Sequence, residues 1–184
     1  MPLSRLLPHR VAGDLSLDFA NTYSWRGTER EVDHLSDADA VLAWARESGL
    51  IDDGDDFSPG ETTKLLREAR LLRRAIEEAA TSITTGSEPP PSALAVIRNV
   101  ASHSLAEASL AGTPVQLSFK RTDRVLGPIA WAALDLLRGQ ELDRLKQCPP
   151  DDCRWLFIDR TKNRSRRWCD MATCGNRAKK RLIV

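Results

Sequence analysis

The sequence predicts an α+β chain that is mostly α: a helical N-terminal domain with a small β-hairpin, then a small C-terminal module built on four cysteines. Three observations carry this. Apolar residues recur at intervals of three and four over several long windows, the period of a helix buried along one side. One short stretch, Val115-Gln-Leu117-Ser-Phe119, alternates apolar and polar residues, the period of a half-buried strand. All four cysteines of the 184 residues fall between positions 148 and 174. The boundary is expected near 145, giving parts 1–145 and 146–184. No flexible linker separates them, so the module should sit close to the helical body.

Residues 1–13 read as an irregular lead-in. In Asp14-Leu-Ser-Leu-Asp18-Phe19-Ala20-Asn21-Thr22, Leu15 and Phe19 stand one helical turn apart, although Leu15, Leu17 and Phe19 also alternate; a short helix is preferred. Asp18, Asn21, Trp25 and Arg26 are candidates for lining a small effector pocket. The competing reading is that Asp18 and Asn21 tie down local backbone, as short polar side chains near turns commonly do.

Residues 27–35 read as a loop, and Ser36 as the N-cap of a helix with Val41, Leu42, Trp44 and Ala45 on its apolar face and Gly49 at its end. Asp52-Asp53-Gly54-Asp55-Asp56 lacks the spacing and terminal Glu of a calcium loop and reads as a solvated turn. Ser58-Pro59 opens the longest helix, about 60–83 in extent, because proline suits a first turn that has no N–H to lose. Leu65, Leu66, Ala69, Leu72, Ala75, Ile76 and Ala79 make its inner stripe; Arg67, Arg70, Arg73 and Arg74 are expected on a wet face.

Three consecutive prolines end the next loop, and Ser92 is expected to cap a helix over roughly 93–110. The strand 115–119 should pair with residues near Val125. Pro128 should begin a last helix with Ile129, Ala132, Ala133, Leu136 and Leu137 inward. His9, His34 and His103 form no spacing typical of a metal site.

The cysteines come as Cys148-Pro-Pro-Asp-Asp-Cys153 and Cys169-Asp-Met-Ala-Thr-Cys174, with fifteen residues between the pairs. Two short loops joined by a longer insert present four thiolates to one tetrahedral Zn²⁺, and a site complete in four protein ligands is structural rather than catalytic. Two disulfides are one alternative, and four unrelated buried thiols, disfavoured by the paired spacing, are the other. Met1-Pro-Leu-Ser-Arg5 leads into Pro8, His9 and Arg10 rather than an apolar secretory run, and a reducing cytoplasm favours metal. Such a small module cannot bury enough core alone, so the metal supplies stability. Gly175 is expected to let backbone amides approach sulfur; Ser165 is a candidate N-cap for a helix carrying Trp168 and Cys169, the alternative being that the last cysteine pair sits on a knuckle.

Charge is split. Residues 154–184 hold ten Lys/Arg against two acidic residues, while residues 1–153 hold seventeen against twenty-four. A basic module on an acidic body fits a nucleic-acid partner, and also head-to-tail self-association. Arg160, Lys162, Arg164, Arg166, Arg167, Asn176, Arg177, Lys179, Lys180 and Arg181 are the candidate DNA-binding residues, most of them through phosphate. With 41% hydrophobic and 29% charged residues and no apolar run long enough to cross a bilayer, a membrane partner is not expected. No phosphate loop, nucleophile elbow or spaced His/Glu metal motif points to an enzyme.

Cys169 to Arg177 with Ala178-Lys179-Lys180, the insert Trp155-Leu-Phe-Ile-Asp159 and Ser165-Arg-Arg-Trp168 resemble the CGNR-type zinc finger over 148–181. Leu17-Asp18-Phe19-Ala20-Asn21-Thr22 resembles the opening Leu-Asp-Phe-x-Asn-Thr of the ABATE domain, which precedes that finger in proteins described as stress-induced transcription regulators. The resemblance implies a cytoplasmic DNA-binding regulator controlled by its N-terminal domain, and it singles out Asn176 and Arg177. Their structural alternative is that Asn176 bonds local backbone and Arg177 pairs with Asp159 or Asp170. Relatives commonly continue into a longer basic tail where this sequence reads Leu182-Ile183-Val184, which implies weaker DNA affinity or binding as a homodimer.

Overall fold

A computed structural model describes residues 7–25 and 27–181, Arg181 for its backbone alone. Arg26 and Leu182-Ile183-Val184 therefore lie outside the described residues. The helices are α1 (Leu15–Ala20), α2 (Ala38–Glu47), α3 (Pro59–Thr84), α4 (Pro91–Ala106), α5 (Asp123–Arg138) and α6 (Asn176–Arg181). Three two-stranded antiparallel ladders accompany them: β1 (Tyr23–Ser24) with β2 (Val32–Asp33), β3 (Ser109–Ala111) with β4 (Gln116–Ser118), and β5 (Leu145–Gln147) with β6 (Leu156–Ile158).

The 26-residue helix α3 is the axis against which α1, α2, α4 and α5 pack. It starts as its sequence dictates: the Ser58 hydroxyl accepts from Glu61 N while the Glu61 carboxylate accepts from Ser58 N, a closed capping box. Leu65, Ala69, Leu72, Ala75, Ile76 and Ala79 enter the core beside Phe19 and Trp44, whose rings meet edge to face at 5.0 Å. Arg73 departs from its expected place on the wet face. It is buried and forks onto Asp33 at 2.5 and 3.0 Å, while Arg70 donates to the carbonyls of Leu35 and Ser36. These two arginines hold the 27–36 loop on the helix.

Four other expectations are corrected. Asp37, not Ser36, caps α2, its carboxylate accepting from Ala40 N at 2.9 Å. α4 begins at Pro91, so Ser92 lies inside the first turn, and it stops at Ala106. The strand near 117 pairs backward with 109–111 and is exposed along its whole length, not half-buried. Val125 belongs to α5, which starts at Asp123 with Pro128 inside it: Val125, Leu126, Ile129 and Ala130 are all buried at helical spacing, and that burial outweighs the hydrogen bond proline cannot make. Gly127 is needed there because a Cβ would stand 2.8 Å from the Phe119 ring.

The cysteine module is not a separate bead. Ala12, Leu17, Ala80 and Leu136 of the body share one buried cluster with Leu145, Leu156, Phe157, Ile158 and the four cysteines. Ile158 N donates to Ala12 O at 2.8 Å, so the lead-in segment runs alongside β6.

Candidate metal centre and basic surface

Cys148 follows directly on β5, where its amide continues the ladder by donating to Trp155 O at 2.8 Å. A tight turn then brings Cys153 back, closed by Cys153 N on Pro150 O at 2.9 Å and by Arg154 in the left-handed region, φ 54°. The second pair does not take the helix capped by Ser165 but follows the other alternative, a turn. Residues 165–170 are irregular, and Asp170 caps a widened turn, Met171–Gly175, by accepting from Ala172 N and Thr173 N at 3.1 Å each. At Gly175 no amide–sulfur contact is seen; a Cβ there would lie 2.6 Å from Met171 Sδ, the end of a flexible and half-exposed side chain that could swing away. The amide that reaches sulfur is that of Cys169, 3.3 Å from Cys148 Sγ.

All four cysteines are buried, free of disulfides, and their sulfurs lie within 4.8 Å of one another. Cys169 Sγ is 3.6 Å from both Cys153 Sγ and Cys174 Sγ. A tetrahedron with Zn–S bonds of about 2.3 Å has edges of about 3.8 Å. A disulfide would need about 2.05 Å. The residues therefore fit a closed zinc site of four thiolates, with no ligand position left open for chemistry. Four thiolates around one Zn²⁺ leave two net negative charges, which the Cys169 amide and Arg177 face directly.

Arg177 is the main bolt. It donates to Cys174 Sγ at 3.2 Å and to Asp152 at 2.8 and 3.4 Å, and its guanidinium lies 4.4 Å from the centre of the Trp25 ring. Its carboxylate partner is thus Asp152, not Asp159 or Asp170. Asn176 makes the local bond named as its alternative, Nδ2 to Ala172 O at 3.1 Å.

Asp159 is fully buried beneath the basic insert. It accepts from Lys146 Nζ at 2.6 Å, Thr161 N at 3.0 Å, Thr161 Oγ1 at 2.6 Å and Arg166 N at 2.9 Å. Burial by itself would raise its carboxyl, but the Lys146 ammonium and the Thr161 donors outweigh that and hold it well below the usual carboxylate range.

The candidate DNA-binding cations divide into two sets. Arg160 binds Glu141 and Gly13 O, Arg164 binds Asp143 at 2.6 Å, and Arg166 stands over Phe157 while donating to Val11 O, Trp168 O and Cys169 O. With Arg177 these are bonded within the chain, Arg160 and Arg164 as ion pairs on its exposed surface and Arg166 and Arg177 partly buried. Lys162, Arg167, Lys179 and Lys180 are exposed and have no carboxylate partner among the described residues. Sequence reasoning could not sort the sets, because the acids that neutralise the first, Glu141, Asp143 and Asp152, lie outside the basic run; Asp152, beside Cys153, was the one visible hint.

Of the proposed effector residues, Arg26 lies outside the described residues, and Asp18, Asn21 and Trp25 face different partners. Asp18 accepts from Ala12 N at 2.9 Å, and burial pushes its carboxyl above the usual range. Asn21 is buried and spends its amide on Leu156, donating to its carbonyl and accepting from its N–H. Trp25 alone lines a cleft of about 160 Å³ between body and module, with His9, Val11, Trp155, Asp170 and Arg177.

A helical body with a four-cysteine zinc module locked into its core defines a two-part zinc-finger protein. Residues 13–140 match the family model ABATE, described as "Putative stress-induced transcription regulator", and residues 144–183 match the CGNR zinc finger. The first match spans well over half of the sequence, so the chain belongs to the ABATE family, with a CGNR zinc finger at its C-terminal end. No curated protein matches it. No helix among the described residues is long and apolar enough to cross a membrane.

Proposed function

We propose that this chain is a DNA-binding transcription regulator of the reducing cytoplasm, not an enzyme. In this reading the zinc ion fixes the module's shape, and Lys162, Arg167, Lys179 and Lys180 meet DNA phosphates. One observation carries it: these four cations are exposed and have no carboxylate partner among the described residues, while Arg160, Arg164 and Arg177 are each paired with one. The ABATE description supports the regulatory part. The helical body is then the control element, and the Arg177–Trp25 contact lies on the route between body and finger.

Fluorescence anisotropy of labelled duplex DNA with the zinc-loaded chain tests this. Binding at low salt that weakens steeply as salt rises is expected. No binding at low salt would overturn it.

A second reading is favoured by a different observation. Asn21, Gly13, Val11 and Tyr23 of the body all bond the module directly, through Leu156, Arg160, Arg166 and Trp155. So firm a junction also suits a zinc-stapled protein-interaction domain. In that case charge reversal at Arg167 and Lys179 would abolish a protein partner and leave DNA binding unaffected.

A further inference from the structure

Four buried thiolates around Zn²⁺ keep a net negative charge, and a buried charge is tolerated only where donors meet it. The Cys169 amide, 3.3 Å from Cys148 Sγ, is fixed by the backbone. Arg177 is different: it reaches Cys174 Sγ at 3.2 Å with a flexible side chain, and it is the one cation among the described residues that bonds a cysteine sulfur. Charge-assisted bonds are about twice as strong as neutral ones. The charge balance of the module thus depends on where one arginine side chain points.

Its own helix does not settle that. Helix α6 has six residues, Asn176–Arg181, too few to be stable alone, and an arginine side chain is rich in rotamers. Two outside groups select the rotamer that reaches sulfur. Asp152 accepts from Arg177 Nη1 at 2.8 Å on the module side. On the body side the Trp25 ring has its centre 4.4 Å from the guanidinium. Trp25 keeps that place under strain: its φ is 56°, in the left-handed region, which an aromatic residue rarely enters and which persists only where the surroundings enforce it. The module supplies part of that enforcement. Trp155 Nε1 donates to Tyr23 O at 2.9 Å and so pins the strand that ends one residue before Trp25. Trp25 and Arg177 both line the cleft between body and module and are only partly buried, so their contact lies at the rim of the junction.

We propose that Trp25 is a positioning residue for the metal centre: by holding Arg177 on Cys174 Sγ, the body sets how firmly the module keeps its zinc. When the ring moves away, Arg177 is freed and the Cys174 thiolate loses its charged donor. Cys174 then becomes the first sulfur open to a competing metal-binding or thiol-reactive agent. Removing a group that supports a metal ligand typically changes metal affinity by about ten- to a hundredfold. This gives the body's control over the finger a physical form and rests on that part of the proposed function. The assay contains no DNA, so its failure and a failure of DNA binding are told apart.

Zinc transfer from the full zinc-loaded chain to the coloured chelator pyridylazoresorcinol, at a temperature well below melting, tests this. Arg177→Gln should speed transfer roughly tenfold or more. Trp25→Gly, which also relieves the left-handed φ, should speed it several-fold, and so should Asp152→Asn, which removes the other hold on the guanidinium. Trp25→Phe keeps a ring and should keep the slow rate. Trp25→Gly combined with Arg177→Gln should be no faster than Arg177→Gln alone, because the ring acts only through the guanidinium. Iodoacetamide treatment of Trp25→Gly, mapped by mass spectrometry, should mark Cys174 first. Asn21→Leu loosens the same junction without touching Arg177 and should leave the transfer rate close to that of the unaltered chain. Transfer by Trp25→Gly at the unaltered rate, additive rates in the combined variant, equal acceleration by Asn21→Leu, or first modification at another cysteine would each overturn the proposal.

Discussion

Asn21 and Leu156, 135 residues apart, exchange two buried hydrogen bonds of 2.9 Å, the side-chain amide of one reading both backbone groups of the other. This is how a strand pairs with its neighbour, except that a side chain replaces the second strand. The surrounding motif has parallel tasks. Leu17 enters the core shared with the cysteines, Asp18 holds Ala12, and Phe19 packs on Trp44. The segment that resembles the family opening is therefore the joint between body and finger.

Replacing Asn21 by Leu should cost about 2–4 kcal/mol, because the Leu156 N–H and C=O would both remain buried without partners. For a chain of this size that is a melting-temperature loss of roughly 5–15 °C. Asn21→Asp should recover nothing at neutral pH, because a buried carboxylate would face the Leu156 carbonyl without a proton to donate, and should recover part of the loss only at a pH low enough to protonate it. Calorimetry on the three proteins checks the order; a loss below about 1 kcal/mol for Asn21→Leu would show that the joint is held elsewhere.

The joint was legible as a motif but not as a joint. Nothing at Asn21 says that its partner lies 135 residues on, because side-chain-to-backbone bonds leave no complementary residue to find. The zinc ligands were legible because metal geometry imposes spacing on the sequence itself. The long helix α3 was legible from its stripe and its cap. Arg73 was not, since a buried ion pair and a wet arginine look alike until Asp33 is placed beside it. The hairpin's true partner strand, 109–111, was masked by the helical pattern of α4 running into it, and α5 was masked at its start by Pro128.

Acid should weaken the fold through Asp33 and Asp159. Burial would raise each carboxyl, yet Arg73 beside Asp33, and Lys146 with Thr161 beside Asp159, hold both below their ordinary values. A folded-state value below the unfolded one means stability that is present at neutral pH and lost as pH falls through the carboxylate range and below. Asp33→Asn should cost about 2–3 kcal/mol at neutral pH, less than a fully buried pair because Asp33 keeps some exposure. It should also flatten the acid limb of a stability-versus-pH curve from urea titrations. An unchanged acid limb would contradict the assignment to this pair.

Removing the metal should affect the body as well as the finger. Metal analysis should find one zinc per chain, held by Cys148, Cys153, Cys169 and Cys174. Ala12, Leu17, Ala80 and Leu136 share a core with those cysteines, so chelation should expose them too and lower the melting temperature of the helical part. The emission of Trp155 and Trp168, which pack against that cluster, should shift to longer wavelength. Cys174→Ser should reproduce the chelated state without chelator. A helical transition that stays at its original temperature after zinc loss would mean that the two parts fold independently.

The division of the cations makes a quantitative statement about salt. Each phosphate neutralised on duplex DNA contributes about −0.9 to the slope of log K against log salt. If Lys162, Arg167, Lys179 and Lys180 are the contacts, the slope per chain is about −3.6, steepening by about one further contact should Arg181 join them. Alanine at any of the four should reduce it by about 0.9 and leave the melting temperature within a degree or so. Arg166→Ala should do the reverse, because its guanidinium bonds Val11 O and covers Phe157. Arg160→Ala should likewise leave the slope alone while loosening the Glu141 and Gly13 contacts. Anisotropy titrations at several salt concentrations separate the two sets, and a slope that falls for Arg160 and Arg166 but not for the four exposed residues would reverse the assignment of the DNA-facing side.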